Sequence, residues 1–409
     1  VYGLLVTVFS VLRIPSAGWH AFIEPMDLRL LDHQVIQYEG QIELRGASMH
    51  LLPHESTVDS FLYYSSEEYR AILPIISAAA LVGLLHSYYW GFFLSECLWW
   101  WASAVVMFYL VRVFDKRLAV AIVGGALITS SPLAAVHIGA ANLHASSSLG
   151  LVFITLLLLR NTSNLSVNLS VIFRSSIAFF FSSVVYSYQW FIIPTFIISY
   201  LFLRQYIALI TSFISFVIYL VFAYLLFFTF TVSGIEIHSH LNDALVVLRP
   251  LLPDRIENSE QITLYMIQNL IPNIYTLLIG YLSTLFVMPS FYSFPIFFIS
   301  LYGFWHGSRQ FQVFYVVSIA FAGISGTLRG YPYVIMAAFP FIYTGAGIGL
   351  LELLSLYRTL RFKIGILYIP SEKILFFLFL FALISITNLD LIGNYTFARD
   401  WFSIKYKPF

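Results

Sequence analysis

The sequence predicts an all-α polytopic membrane protein, with about 11–13 transmembrane helices and two extracytoplasmic loops, on three observations. The first is composition. Of 409 residues, 60% are hydrophobic and only 10% charged, and the mean hydropathy is +0.85. A soluble domain carries roughly 25% charged residues, so this chain has too few to cover a water-facing surface of its size. The second is that apolar runs close to the length of a bilayer crossing follow one another along most of the chain. The third is that 14 of the 20 acidic residues fall in two polar stretches, 13–72 and 231–272.

The remaining bulk properties narrow the function. Aromatic residues make up 18% of the chain, which suits a lipid-facing surface with interfacial rings. A formal net charge of +1 points to no polyanionic partner, so nucleic acid is not expected. The single Cys97 excludes an intrachain disulfide and a multi-cysteine metal site.

Taken in order, Val1 to Leu12 are apolar and read as the end of a first membrane helix whose start precedes this sequence. Residues 13–72 form the first loop, with Glu24, Asp27, Asp32, Glu39, Glu43, Glu55, Asp59, Glu67 and Glu68. A spanning helix takes about 20 mostly apolar residues. The segments that qualify are 73–91, 95–113, 118–136, 145–160, 173–187, 189–203 and 205–230, then 273–288, 290–305, 311–326, 333–355 and 374–393. The second loop, 231–272, carries Glu236, Asp243, Asp254, Glu257 and Glu260. No fixed-period repeat and no separate soluble domain is visible, so residues 1–409 read as one transmembrane domain.

Basic residues set the orientation. They concentrate in short connections: Arg112, Lys116 and Arg117; Arg160 and Arg174; Arg204; Arg358, Arg361 and Lys363. Such connections read as cytoplasmic, which makes the two acidic loops lumenal or periplasmic. The expectation is a multi-pass protein of a prokaryotic plasma membrane or the endoplasmic reticulum. Its span count conflicts with that orientation. Seven candidate segments separate the two loops, and an odd number puts them on opposite faces. Either one candidate is not a full span, or the loops do not share a face; the weakest pair is 173–187 and 189–203. An odd count recurs between 272 and 329.

Chemistry is expected first in the first loop, since long loops without a core of their own are often functional. Its heart is Glu24-Pro-Met-Asp27-Leu-Arg-Leu-Leu-Asp32-His33-Gln34-Val-Ile-Gln-Tyr38-Glu39. If this stretch is helical, Asp32 and Glu39 share a face while Asp27 diverges. A carboxylate there can act as a general base or hold a divalent cation, the one cofactor considered, with its ligands left open. The alternative is an amphipathic helix whose acids are simply solvated. His20, His33, His50 and His54 meet no metal-ligand spacing; the one i, i+4 pair, His50 and His54, flanks Pro53.

Polar residues inside the apolar region are functional candidates by default. The stretch from Ser130 through His137, Asn142 and His144 either lines a polar cavity or is a short surface connection. Glu96 is expected at the interface. Gln189 can contact a substrate or stabilise a broken helix. In Thr327-Leu-Arg329-Gly-Tyr331-Pro332-Tyr333, Arg329 can fork onto a phosphate, with Pro332 in the first turn of the next helix. Against that stands an Arg snorkelling to the headgroups. Asn161-Thr-Ser, Asn164-Leu-Ser, Asn168-Leu-Ser and Asn394-Tyr-Thr match the glycosylation pattern, but the first three fall in a basic turn and read as chance.

The order of these features resembles the GT-C superfamily of membrane glycosyltransferases, and within it the ArnT/PMT-like mannosyltransferase group. The resemblance runs through Asp32-His33-Gln34 with Tyr38, then Arg70-Ala-Ile-Leu-Pro74, then an aliphatic helix ending in Tyr109-Leu-Val-Arg112. A basic turn, a span closing in Ser131-Pro132, and Arg329, Tyr331, Pro332 and Pro340 complete it. It departs from several such families in lacking an Asp-Glu dipeptide, since His33 follows Asp32. The resemblance implies Asp32 as catalytic base or metal-facing acid, Asp27 as its alternate, and Arg329 and Tyr331 at the donor phosphate. It also implies a cleft shared with His33, Glu39, His137, Asn142, His144 and Gln189. The partners would be membrane lipid, a polyprenyl-phosphate-linked sugar and a glycan, lipid or protein acceptor.

Three other readings stand beside it. A polysaccharide polymerase or ligase would use Arg249, Arg255, His238 and His240 of the second loop. A transporter should show paired repeats and charges at mid-membrane depth. A non-catalytic subunit working with membrane-protein partners would look much the same.

Overall fold

The computed structural model describes residues 42–44, 49–51, 88–128, 147–161, 167–185, 189–230, 292–329 and 338–364, with isolated helical positions within 73–85 and 278–289. Among these residues the protein is helical apart from one short hairpin. Strands β1 (Ile42–Leu44) and β2 (Met49–Leu51) pair antiparallel, with Glu43 opposite His50. Both strands alternate apolar, polar, apolar, the period of a half-buried ribbon.

The helices are α1 (Tyr88–Phe114), α2 (Leu118–Ile128), α3 (Ser147–Arg160), α4 (Leu169–Val185), α5 (Gln189–Phe202), α6 (Tyr206–Phe230), α7 (Phe294–His306), α8 (Arg309–Arg329) and α9 (Phe339–Ile364). Their hydroxyls return to the helix itself. Ser103 donates to the Trp99 carbonyl, Thr155 to Leu151 and Thr344 to Pro340, each one turn back. Asn168 caps α4, its side-chain oxygen accepting from the Ser170 amide at 2.8 Å. Helix α5 ends in a Schellman motif: the Gln205 amide donates to Tyr200 O, the Arg204 amide to Leu201 O, and Arg204 takes φ 57.

Helix α9 is the hub. Every residue from Phe339 to Leu350 is buried, and α9 packs most extensively on α7 and then on α2. A helix apolar on all sides belongs inside a protein, and this one enters through its glycines. A Cβ on Gly303 of α7 would overlap the Gly345 carbonyl, and one on Gly349 would overlap the Ile299 carbonyl. Across the other face, a Cβ on Gly347 would stand 2.7 Å from Val120 O. Around this hub α1 packs on α3 and α2, α4 on α6 and α3, and α5 on α8 and α6.

Polarity is inverted relative to a soluble protein. On α6 the exposed face is Tyr206, Ile210, Phe213, Val217 and Val221, while the inward face carries Thr211, Ser215 and Tyr219. Helix α4 repeats this with Leu169, Phe173 and Ile177 outside and Ser175, Ser176 and Ser182 inside. Across the α4–α6 contact Ser176 donates to Ser215 O at 3.1 Å and Ser215 to Ile172 O at 3.1 Å. Apolar outside and hydroxyl inside is the order that a lipid solvent requires. Among the described residues, Leu94–Phe114 and Phe339–Leu356 are long and apolar enough to cross a membrane. Shorter apolar helices accompany them, including Tyr206–Val221 and Arg309–Ile324.

The helices follow the apolar segments read from the sequence, with one correction. Segments 73–91 and 95–113 were expected to be separated near residue 92, but α1 runs unbroken from Tyr88. Glu96, expected at the interface, is instead fully buried together with Ser95, so it is an interior residue. Ser77, from the preceding helical stretch, covers that side of α1: its hydroxyl lies 2.5 Å from that of Ser95 and accepts from Trp99 Nε1 at 2.8 Å.

Candidate functional site

Among the described residues, exposed charge gathers at one end of the helix bundle. At one end lie the turns α1–α2, α5–α6 and α7–α8 and the α3–α4 connection. Three contacts tie these together: Phe114 packs on Phe311 (5.3 Å between ring centres), Phe314 on Tyr200 (5.7 Å), and Tyr200 Oη donates to Leu158 O at 2.6 Å. Arg112, Lys116, Arg117, Arg160, Arg174, Arg204 and Arg309 are all exposed at this end. Two acids accompany them, and both bind one arginine. Arg117 meets Asp115 at 2.7 Å and Glu352 of α9 at 2.7 Å. The hydrogen bonds that the guanidinium donates to Asp115, and then to Glu352, hold its pKa above its ordinary value. Two of the asparagines in glycosylation-like triplets have structural work here: Asn168 caps α4, and the buried Asn161 donates to Ser175 Oγ at 2.8 Å.

The opposite end holds the start of α1, the end of α6, the start of α5, the end of α8 and the start of α9. Six helices, α1 to α6, separate Tyr88 from Phe230, so the chain enters and leaves this set at the same end. The seventh candidate, 73–91, overlaps the start of α1 only at its end, and further helical positions precede it within 73–85.

Two of the residues chosen from sequence lie on described backbone at this second end. Gln189 is the first residue of α5 and Arg329 the last of α8. The two helices pack antiparallel through Phe196, Tyr200 and Phe314, so these residues stand at the same end of one helix pair. By helix rise Arg329 projects about 9 Å beyond the level of Gln189. Asp27, Asp32, His33, Glu39, His137, Asn142, His144 and Tyr331 lie outside the described residues, as do Arg249, Arg255, His238 and His240. No group of three or more potential metal-ligating side chains occurs among the described residues.

The structure adds a residue that the sequence reading misplaced. Glu96 sits fully buried in α1, beside the Ser77–Ser95–Trp99 hydrogen-bond chain and one turn before the buried Trp100. Trp100 Nε1 has no hydrogen-bond partner among the described residues, and its ring packs on Phe339 at the head of α9. An acid within a long apolar helix is costly and marks a place where a proton, a cation or a polar ligand group is held. The signal was legible: Glu96 is the one acidic residue between Tyr88 and Phe114.

No protein-family profile matches the chain, and no curated protein matches it. Among solved structures, the archaeal oligosaccharyltransferase AglB from Archaeoglobus fulgidus, in complex with an inhibitory peptide and a dolichol-phosphate, is similar at 12% identity and a TM-score of 0.39. That match covers 98% of this chain and 56% of the other, so the chain spans about half the length of that enzyme. At that score the likeness assigns neither a fold family nor an activity to this chain.

Proposed function

We propose that the chain is a multi-pass membrane glycosyltransferase of GT-C type, moving a sugar from a polyprenyl-phosphate donor to an acceptor hydroxyl at the extracytoplasmic surface. The observation that carries this reading is the separation of the two ends of the bundle. The basic turns gather at one end, which by the positive-inside tendency would face the cytoplasm. Helix α8 delivers Arg329 to the other end, where Arg329-Gly330-Tyr331-Pro332 leads towards α9. An arginine there would stand at the headgroup level of the outer leaflet, where a lipid phosphate lies.

In this reading the polar stretch 13–72 also lies at the extracytoplasmic surface and supplies Asp32, with 231–272 covering the cleft. The acceptor oxygen attacks the anomeric carbon as the bond to the donor phosphate oxygen breaks. The acceptor proton passes to the Asp32 carboxylate, and the bonding pair leaves with the polyprenyl phosphate, whose charge Arg329 stabilises. A divalent cation held by loop carboxylates would serve the same charge.

The test is transfer from a polyprenyl-phosphate sugar by the full chain in lipid nanodiscs. Asp32→Asn should lower turnover by about 10²–10⁴-fold, the range for a general base, with the thermal transition unchanged. Normal turnover by that variant would remove Asp32 from the reaction.

A further inference from the structure

We infer that the basic end of the bundle is a docking surface for anionic phospholipid headgroups of the surrounding leaflet, with Arg112, Arg174, Arg204 and Arg309 as its cations. The inference rests on the chain spanning a membrane and is independent of the proposed transfer reaction. Charge balance is the first support. Asp115 and Glu352 both go to Arg117. Arg112, Arg174, Arg204 and Arg309 are exposed, and none meets a carboxylate among the described residues. Cations left without a counter-charge at the edge of a hydrocarbon layer are suited to lipid phosphates.

Arg174 shows the geometry directly. It belongs to the outer face of α4, where Leu169, Phe173 and Ile177 are exposed as well. Its Nε donates to Ser170 O at 3.2 Å, one turn back towards the basic end. The stem runs over apolar surface while the charge is carried towards the end of the helix, as an arginine does at a membrane surface.

Exposed rings accompany all four cations. Tyr109 lies one turn before Arg112, Phe173 beside Arg174, Phe202 and Tyr206 on either side of Arg204, and Trp305, 77% exposed, four residues before Arg309. Ring and cation together at the end of an apolar helix match the layered headgroup region, where rings sit at headgroup level and cations meet phosphate. Their distribution favours lipid over an acidic protein. The four arginines belong to α1, α4, the α5–α6 turn and α8, not to one helix face. A headgroup layer surrounds the bundle and reaches all four at once, whereas a docked protein would meet those on one side.

The experiment is native mass spectrometry of the full chain from nanodiscs of equal phosphatidylglycerol and phosphatidylcholine, reading the ratio of lipids that stay bound. At low salt the wild type should retain phosphatidylglycerol with about fivefold preference, the factor expected for a basic residue at an anionic headgroup. Equilibration in about 1 M salt, where the screening length is about 3 Å, should bring the ratio near parity. The combined variant Arg112→Gln, Arg174→Gln, Arg204→Gln and Arg309→Gln should be near parity already at low salt. The same four positions changed to Lys should keep the preference. Parity in the wild type at low salt overturns the surface and leaves its cations to an acidic protein. So does a full preference in the glutamine variant. If that variant fails to fold, the wild type decides alone, and a preference undiminished at high salt overturns the proposal.

Discussion

At the scale of single residues, the close contacts of α9 are made by absent side chains. Gly303, Gly345 and Gly349 let two backbones meet, and each would place a Cβ against a main-chain atom that cannot turn aside. Gly323 differs, since its hypothetical Cβ meets the ends of Tyr281 and Leu285, which can move. Gly349→Ala should therefore destabilise by about 3 kcal/mol, the upper part of the overpacking range, and Gly323→Ala by under about 1 kcal/mol. Reversible unfolding in mixed micelles measures both; equal effects would mean that the α7–α9 crossing is not as close as described. Glu96 teaches a different lesson at this scale. Sequence alone cannot say whether an acid near the start of an apolar run sits at the interface or inside. What decides is the residue opposite, Ser77, which comes from another segment and closes over Ser95 and Trp99.

At the scale of elements, the helices among the described residues follow the apolar segments read from hydropathy, because a chain of apolar segments broken by Arg, Asn and Gly leaves little freedom in where each begins; 374–393 lies outside the described residues. The boundary expected near residue 92 falls inside α1, where Phe92, Phe93 and Leu94 are all apolar and offer no break. What hydropathy could not reveal is which face of each helix turns inward. On α6 every face is apolar enough to look alike, and only the positions of Thr211 and Ser215 mark the inner one. The outer face then carries a prediction. Phe213→Asp should impair insertion of α6 by about 2.5–3.5 kcal/mol, whereas a single inner hydroxyl such as Ser215, replaced by Ala, should cost only about 0.6 kcal/mol. A translocon insertion assay reports the first and unfolding in micelles the second. Insertion unaffected by Phe213→Asp would mean that this face does not meet hydrocarbon. The β1–β2 hairpin, within a stretch expected to be loop, carries the alternation of a strand pair in Ile42-Glu43-Leu44 and Met49-His50-Leu51.

At the scale of the whole molecule, the basic turns, scattered through the sequence, converge on one end. Their clustering was read correctly from charge, but the alternation that brings them together depends on how many helices lie between, and that number is a property of the fold. In a Cys97→Ala background, cysteines placed at Lys116 and Ser308 should react with an impermeant thiol reagent from one side of sealed vesicles, and one at Ser239 from the other. Labelling of all three from the same side would overturn the two-ended arrangement. Of the candidate site, Gln189 and Arg329 come to one end of the α5–α8 pair, and the acidic stretch lies outside the described residues, because its polar sequence carries no periodicity from which a position could be read.

The burial of α9 has a consequence for how the protein is made. A ribosome delivers this helix after α7, α2, α8, α1 and α3, on which it packs, so for much of synthesis those helices must stand around an unfilled slot. Until Gly345, Gly347 and Gly349 arrive, Gly303 and Val120 have no backbone to lie against. A nascent chain stalled before residue 345 would be a bundle without its keystone, open to lipid along its axis and exposed to membrane quality-control proteases. Completion of the fold is thus tied in time to translation of α9, and synonymous changes that slow that stretch would be expected to lower yield without altering a single residue.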